Sequence, residues 1–504
     1  MESTSEWRSR LPLEILFTIV ELVDKRDDLL AFALTCKLFC RIVIPTYLDY
    51  FRISSKLNDM ELWDHFLQNP PLCRNIRELK FTDGIPRVYR TPSFRKSSSG
   101  DFYNPTSDQN LRKALHHMIN LRRAQFLWES ILDALPGTDI LDGLVDSECR
   151  LEELDLVLGL LHSVLLRDSE ALLSKVQKLQ IWSKLDLTTL RKLSIRLGGP
   201  RPLLRELTHI GTMLSNARAL THLNLMTERT SYPLSIFDYT WPNLENLSIG
   251  RTVHLMTTDT QDPLTLANFF KRHPKLTTLS LPSNIYPRNS SPNITLENLP
   301  QLQSFAFDSS ARVPLGKLLS PALARKLQHL TISEEDALSE SSNMDIYREL
   351  TSLRTCCITS GPVFITNYRT VHRILENFVG HILNLEKLDI STRGPREHSK
   401  VYLDILHLVQ RFPKLTHLSG IWGNDLLHHG RPWYYTLSRE LCNFPQLKYV
   451  IPLPSVSLKD EKQFRVFQLV RDSSDLLLEY TPEKAQDYDT ATWGGFYKGM
   501  DTAS

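Results

Sequence analysis

One short pattern governs what this chain can fold into: an aliphatic residue, two variable ones, an aliphatic, one variable, then another aliphatic. It occurs at Leu151-Glu-Glu-Leu154-Asp-Leu156, Val176-Gln-Lys-Leu179-Gln-Ile181, Leu220-Thr-His-Leu223-Asn-Leu225 and Leu244-Glu-Asn-Leu247-Ser-Ile249. It continues at Leu276-Thr-Thr-Leu279-Ser-Leu281, Leu302-Gln-Ser-Phe305-Ala-Phe307, Leu327-Gln-His-Leu330-Thr-Ile332, Leu353-Arg-Thr-Cys356-Cys-Ile358 and Leu385-Glu-Lys-Leu388-Asp-Ile390. Leu415-Thr-His-Leu418 and Leu447-Lys-Tyr-Val450 are weaker copies, and Ile76-Arg-Glu-Leu79-Lys-Phe81 is an early outlier. From residue 220 onward the copies start 24 to 32 residues apart. A unit this short cannot bury its apolar face alone, so the copies must stack on one another.

A second period runs with the first. Trp241-Pro242, His273-Pro274, Leu299-Pro300, Phe412-Pro413 and Phe444-Pro445 each place a proline two residues before the first repeat leucine. Proline there ends the preceding helix and opens a strand without needing a ladder hydrogen bond. Between copies, 264–272, 371–383 and 401–411 carry apolar residues at three- and four-residue spacing, which predicts helices. The alternation resembles the leucine-rich repeat. That resemblance implies an α/β solenoid, an irregular horseshoe with a parallel inner sheet. The asparagine expected three residues past the last repeat leucine is clear only at Asn284. In 157–219 the register is ambiguous, because Leu190-Arg-Lys-Leu193-Ser-Ile195 starts too soon after Val176 for both to be full repeats.

Composition narrows the class. Hydrophobic residues make up 41% and charged residues 23%, ordinary globular values that exclude a wholly disordered, collagen-like or disulfide-scaffold chain. Lys plus Arg number 59 against 57 for Asp plus Glu, a net charge of +2 without a long basic run. Nucleic acid is therefore not an expected partner. The first ten residues lack the basic-then-apolar order of a secretory signal, and no stretch approaches the roughly 20 apolar residues needed to span a bilayer. The expectation is a cytoplasmic or nuclear protein with no membrane partner. Seven scattered cysteines with no Cys-x-x-Cys pair read as reduced thiols, with no metal and no cofactor.

The first fifty residues differ from the rest. Ile15, Leu16, Ile19, Leu22 and Val23 lie on one helical face, with Pro12 suited to the first turn and Glu14 facing the positive helix end. Asp27 or Asp28 is placed to cap a second helix from Leu29, and Cys36, Phe39, Cys40 and Val43 carry a third until Pro45 stops it. Three short helices cannot bury all these side chains among themselves, so something else should cover them. Leu11-Pro12-x-Glu14-Ile15, then Asp28-Leu29-Leu30, then Leu34-x-Cys36-Lys37-x-Phe39 resembles the F-box, the helical motif that docks on the Skp adaptor of Skp-cullin-F-box ubiquitin ligases. The resemblance covers about a tenth of the chain and departs at Phe39, where many members carry Trp. It implies adaptor contacts at or near Leu11, Pro12, Ile15, Leu16, Ile19, Leu29, Leu30, Cys36, Lys37 and Phe39. It also implies cullin and RING subunits as indirect partners.

The domain reading is a three-helix F-box at 5–52, a linker helix and first repeat-like strand at 53–83, and a Pro/Ser-rich loop at 84–110. A solenoid follows at 111–454, then a terminal cap and polar tail at 455–504 that fades into disorder. No glycine-rich phosphate loop, Gly-x-Ser-x-Gly or His-Glu-x-x-His is present, and neither His116-His117 nor His428-His429 makes a good metal pair, since successive side chains point apart. Strand residues facing away from the core line the inner surface. Among them Glu153, Asp155, Gln180, Trp182, His222, Asn224, His329 and His417 are the candidate target contacts. Trp182 is either an aromatic anchor or packing on a neighbouring strand. The expected function is a non-catalytic receptor that holds an unidentified target protein for a ubiquitin ligase. The alternatives are a leucine-rich interaction scaffold without a ligase role and, as a third class, an enzyme whose site these motifs do not announce.

Overall fold

The computed structural model describes residues 12–23, 26–55, 59–82, 105–128, 143–147, 149–158, 187–197, 214–227, 237–250, 263–282, 298–308, 315–333, 344–359, 368–391, 399–419, 444, 446–451, 467–471 and 476–480. The chain forms two compact units, Met1–Leu220 and Thr221–Ser504. Unit 1 opens with helices α1 (Leu13–Glu21), α2 (Arg26–Leu34) and α3 (Lys37–Val43). Pro12 stands one residue before α1, where its carbonyl accepts from the N–H groups of Ile15 and Leu16 at 3.1 and 3.2 Å. Asp27 and Asp28 sit inside the first turn of α2, near the positive end of its dipole, and do not cap it from outside. Val20, Leu29, Ala33, Val43, Tyr47 and Phe51 form the buried core of this helical part.

Pro45 does not stop the third helix. The chain runs on through a π-helical turn, Ile44–Leu48, with Pro45 in its first turn, and then α4 (Asp49–Phe51). The proline deletes the N–H that would have carried the α3 ladder one residue further, and the wider π-helical turn accommodates its ring in a continuous helical path. Helix α4 leads without interruption into strand β1 (Arg52–Ser55). Segment 53–83, read from sequence as linker plus strand, is a complete repeat: β1, helices α5 (Met60–Gln68) and α6 (Pro70–Cys73), and strand β2 (Glu78–Thr82). Asp59 accepts from Leu62 N–H and from the Ser55 hydroxyl, fastening β1 to the start of α5. The loop assigned to 84–110 ends sooner than expected, because α7 (Pro105–His116) begins at its proline. Leu111, Ala114 and Leu115 give this helix a buried face, and the Asn110 amide donates to Asp64 of α5 at 2.7 Å.

Strands β3 (Arg123–Trp128), β4 (Glu153–Leu158) and β5 (Lys192–Leu197) complete the unit 1 sheet, parallel throughout. Its register sets Leu79, Ala124, Leu154 and Leu193 side by side, each almost fully buried. The strand beside β4 therefore comes from the Leu190 copy, while the Val176 copy lies outside the described residues, as does Asn284. Beneath β1 to β3, Trp63, Phe81 and Phe126 are fully buried, the last two stacked at 5.0 Å.

Unit 2 continues the same grammar with β6 (His222–Thr227), β7 (Asn246–Ile249), β8 (Thr278–Pro282), β9 (Ser304–Asp308), β10 (His329–Ser333), β11 (Thr355–Thr359), β12 (Lys387–Ser391), β13 (His417–Ser419) and β14 (Tyr449–Ile451). All are parallel in register, and helices such as Pro263–Arg272, Tyr368–Val379 and Ser399–Val409 lie between strands. Before most strands the first repeat leucine donates its N–H three residues back, as in Leu244 to Trp241 at 3.0 Å and Leu276 to His273 at 3.2 Å. The periodic proline occupies the second position of that β-turn, where its fixed φ fits, and is not the first residue of a strand. After β14 the sheet changes direction. β15 (Phe467–Arg471) and β16 (Leu476–Tyr480) add an antiparallel hairpin to β14, within the segment expected to hold a terminal cap and polar tail. The four residues 472–475 leave no room for a crossover helix, so the strands must reverse.

Candidate protein-interaction surfaces

Helix α1 is apolar on almost every side. Leu16 and Val20, four residues apart, turn inward and are buried, whereas Ile15, Phe17, Ile19 and Leu22 face outward. Leu30 and Leu34 of α2 and Leu38 of α3 are also exposed, Leu34 at 71% and Leu22 at 75%. Among the described residues, seven of the nine exposed large hydrophobic side chains fall between positions 15 and 38. Such concentration is unlike the scattered apolar residues of an ordinary surface and marks an interaction face.

Of the residues the F-box resemblance named, Pro12, Ile15, Ile19, Leu30 and Lys37 are exposed, and Cys36 is half-buried. Leu16 and Leu29 point the other way, Leu29 keeping only 2% of its surface, so both belong to the core and shape the face from beneath. Phe39 is half-buried and stacks on Phe32 at 4.3 Å, which ties α3 to α2. Leu11 lies outside the described residues.

The inner strand faces of the two units differ in chemistry. In unit 1 the first outward strand position carries Arg52, Glu78, Arg123, Glu153 and Lys192 in register. Neighbours pair at 3.0, 2.8, 3.4 and 2.8 Å, a ladder of alternating sign across five strands. Glu153 is thus engaged on both sides, and Asp155 accepts from the Gln125 amide at 2.9 Å. Arg52, Glu78, Arg123 and Lys192 were not legible as a set in sequence, because the series appears only once β1 and β3 are in register. Gln180 and Trp182 lie outside the described residues.

In unit 2 the same position holds mostly uncharged groups, including His222, Asn246, Thr278, His329 and His417. His222 and Asn224 are half-buried, and the Nδ1 atom of His222 lies 2.8 Å from the Thr221 hydroxyl. His417 stacks on Tyr449 at 4.7 Å, and burial, with Lys387 and Lys448 nearby, pushes its pKa down to about 4. Burial likewise lowers the pKa of His329, with Lys387 and Arg354 adding to the effect. Beside them Asp389 is fully buried and accepts from the Cys357 thiol at 3.5 Å. Histidine, amide and hydroxyl groups dominate this row, a surface suited to polar protein contact.

Among the described residues no three His, Cys, Asp or Glu side chains gather where they could hold a metal ion. Of the histidine doublets, His116 bonds the Asp146 carbonyl at 3.0 Å, and His428-His429 lies outside the described residues. No described helix is long and apolar enough to cross a membrane.

Comparison with known proteins places the described helices in context. Residues 8–44 match the family described as the F-box domain. No curated protein matches the chain. Among solved structures, the Rad7 and Elc1 complex of yeast aligns with 72% of this chain and 82% of the other, at 12% identity and a TM-score of 0.37. The complex of TLR13 with ssRNA13 aligns with 71% of this chain and 49% of the other, at 15% identity and a TM-score of 0.31.

Proposed function

Starting from a chain that carries an F-box domain at residues 8–44, we propose that it is the target-recognition subunit of a Skp-cullin-F-box ubiquitin ligase. The observation that carries this reading is the apolar face of α1 to α3 within the matched segment, where Ile15, Ile19, Leu22, Leu30 and Leu34 lack cover. Burying such a face yields roughly 25 cal/mol for each Å² removed from water, a strong drive toward a partner. We assign adaptor contact to Pro12, Ile15, Ile19, Leu30 and Lys37, with Leu16 and Leu29 as the packing beneath. The repeats hold the target, and the chain itself does no chemistry. Its contribution is effective concentration, since a target held near a charged ubiquitin carrier reacts as if intramolecular.

The test is co-purification with a Skp-family adaptor, comparing wild type with Ile15→Asp plus Ile19→Asp. Both side chains are exposed, so circular dichroism should be unchanged, while stoichiometric capture by wild type should fall at least about a hundredfold as two charges enter an apolar contact. A folded wild type that captures no adaptor would leave a repeat scaffold outside the ligase.

A further inference from the structure

Four successive turns of unit 2 carry the chain from a helix into β10, β11, β12 and β13. These strands start in register at His329, Thr355, Lys387 and His417. Three residues back from each lie Lys326, Ser352, Asn384 and Lys414, which therefore form one row along the edge of the sheet, with Arg325, Thr351, Leu383 and Pro413 beside them. Backbone bonds fix the turns to one another: Arg354 N–H donates to the Gln328 carbonyl at 2.9 Å, and Glu386 N–H to Arg354 and Thr416 N–H to Glu386, both at 2.8 Å. Residues 319–329, 347–355, 379–387 and 409–417 are described without a gap, and the carboxylates among them are Glu349 and Glu386. Glu349 pairs with Arg325 at 2.5 Å and Glu386 with Arg354 at 3.8 Å.

Among the described residues neither lysine of the row is paired with an acid. Lys414 donates to the Asn384 amide oxygen at 2.7 Å, and Asn384 is pinned in turn by its own amide N–H on the Thr351 carbonyl at 2.6 Å. An ammonium group held by a neutral amide is positioned without an opposite charge beside it. Lys326 is exposed. The second observation is apolar. At the position of Leu383 five other copies carry a proline that suits the turn, whereas Leu383 is 56% exposed and serves neither the turn nor the core. Neighbouring strands lie about 4.8 Å apart, so Lys326 and Lys414 stand about 14 Å apart along the row with Leu383 between them, a span that an extended chain covers in about four residues. Tyr347 and Phe412 of these turns are fully buried, so they offer no stacking platform of the kind single-stranded nucleic acid uses.

We propose that this edge of unit 2 docks an extended acidic segment of a protein partner, two carboxylates about four residues apart on Lys326 and Lys414 with an aliphatic side chain between them on Leu383. That the partner is a target for ubiquitin transfer rests on the receptor reading above; the chemistry of the edge does not. The test is fluorescence anisotropy on the full chain with a labelled peptide Gly-Glu-Ser-Ser-Leu-Glu-Gly. Saturable binding that weakens with salt is expected, and replacing both Glu by Gln should weaken it at least about tenfold. Lys326→Glu with Lys414→Glu should cost a similar factor, Leu383→Asn about threefold, and Lys113→Glu, on α7 of unit 1, nothing. The three replaced side chains of the edge are exposed, so circular dichroism should not change. No saturable binding, equal binding of the Gln peptide, or indifference to the lysine reversals would overturn the proposal, as would displacement of the peptide by a single-stranded RNA oligomer at lower concentration. Peptide binding kept by a chain that captures no adaptor would retain this edge and reject the ligase role. Adaptor capture without peptide binding would do the reverse.

Discussion

His273 has no exposed surface, yet both of its ring nitrogens are used. The Trp241 N–H donates to Nε2 at 2.9 Å, and Nδ1 donates to the Phe269 carbonyl at 2.6 Å. That pairing needs a neutral ring, because a proton on Nε2 would face the Trp241 donor. Burial holds the pKa below the usual histidine range and Arg272 adds to this, while the Phe269 bond works against them. The folded value thus lies beneath the unfolded one of about 6.5, so the unfolded chain binds more protons between the two. Stability from His273 is complete above about pH 6.5 and is lost as pH falls through the folded value. The urea midpoint should fall as the medium is acidified, with His417 and His329 contributing in the same direction. His273→Gln should lower the midpoint near neutrality by about 1 to 3 kcal/mol in stability and flatten the acid slope. An acid slope as steep as wild type in that variant would refute the assignment. The sequence drew attention to His273 only as the residue before Pro274; the Phe269 carbonyl is a turn of helix behind it, but the Trp241 N–H that fixes the tautomer sits a repeat away, so nothing local announced it.

The strand ladder makes its own prediction at the level of elements. Each exposed ion pair is worth about 0 to 1 kcal/mol, but Glu78 serves Arg52 and Arg123 at once. Glu78→Lys would set three cations in adjacent strands and should cost about 1 kcal/mol or more, with a larger loss at low salt than at high. An equal loss at both salt concentrations, read from denaturant midpoints, would argue against a Coulombic role. Elements of this kind were unevenly legible. β6 to β13 could be read because their motif positions hold Leu, Ile or Phe at fixed spacing, interrupted at Cys356 and, in the last copy, at Gly420. β3 was hidden by Ala124 in the middle leucine position, and β1 by Ser55 in the last. The hairpin of β15 and β16 carries no repeat motif at all. The helical face of α1 was legible as a helix but not as an orientation, because its apolar residues encircle it and only packing decides that Leu16 goes in and Ile15 out. Glu153 and Asp155 looked like ligand contacts since the groups that occupy them, Arg123, Lys192 and Gln125, come from neighbouring repeats.

At the scale of the whole molecule, the helices that resemble an F-box and the first repeats are one body, because both lie within unit 1 and share side chains. Phe51 belongs to the helical core, while its carbonyl accepts from Arg77 N–H just ahead of β2. Tyr50 packs edge-on against Phe66 at 6.0 Å, and its hydroxyl lies 3.2 Å from His65, both residues of α5. Phe51→Ala should therefore cost about 3 to 5 kcal/mol and reduce hydrogen-exchange protection in α2, α3, β1 and β2 together. Loss confined to the helices would mean that the two parts unfold independently. The join at residues 44–51 also works as a compass setting. Each residue of a helix turns the chain by about 100°, so adding or removing one between Ile44 and Phe51 would swing β1 to β5 to a new heading relative to whatever sits on α1 to α3. A repeat domain on a flexible tether could absorb such a change by swinging on its leash. This one has no leash, and its aim is written in a residue count.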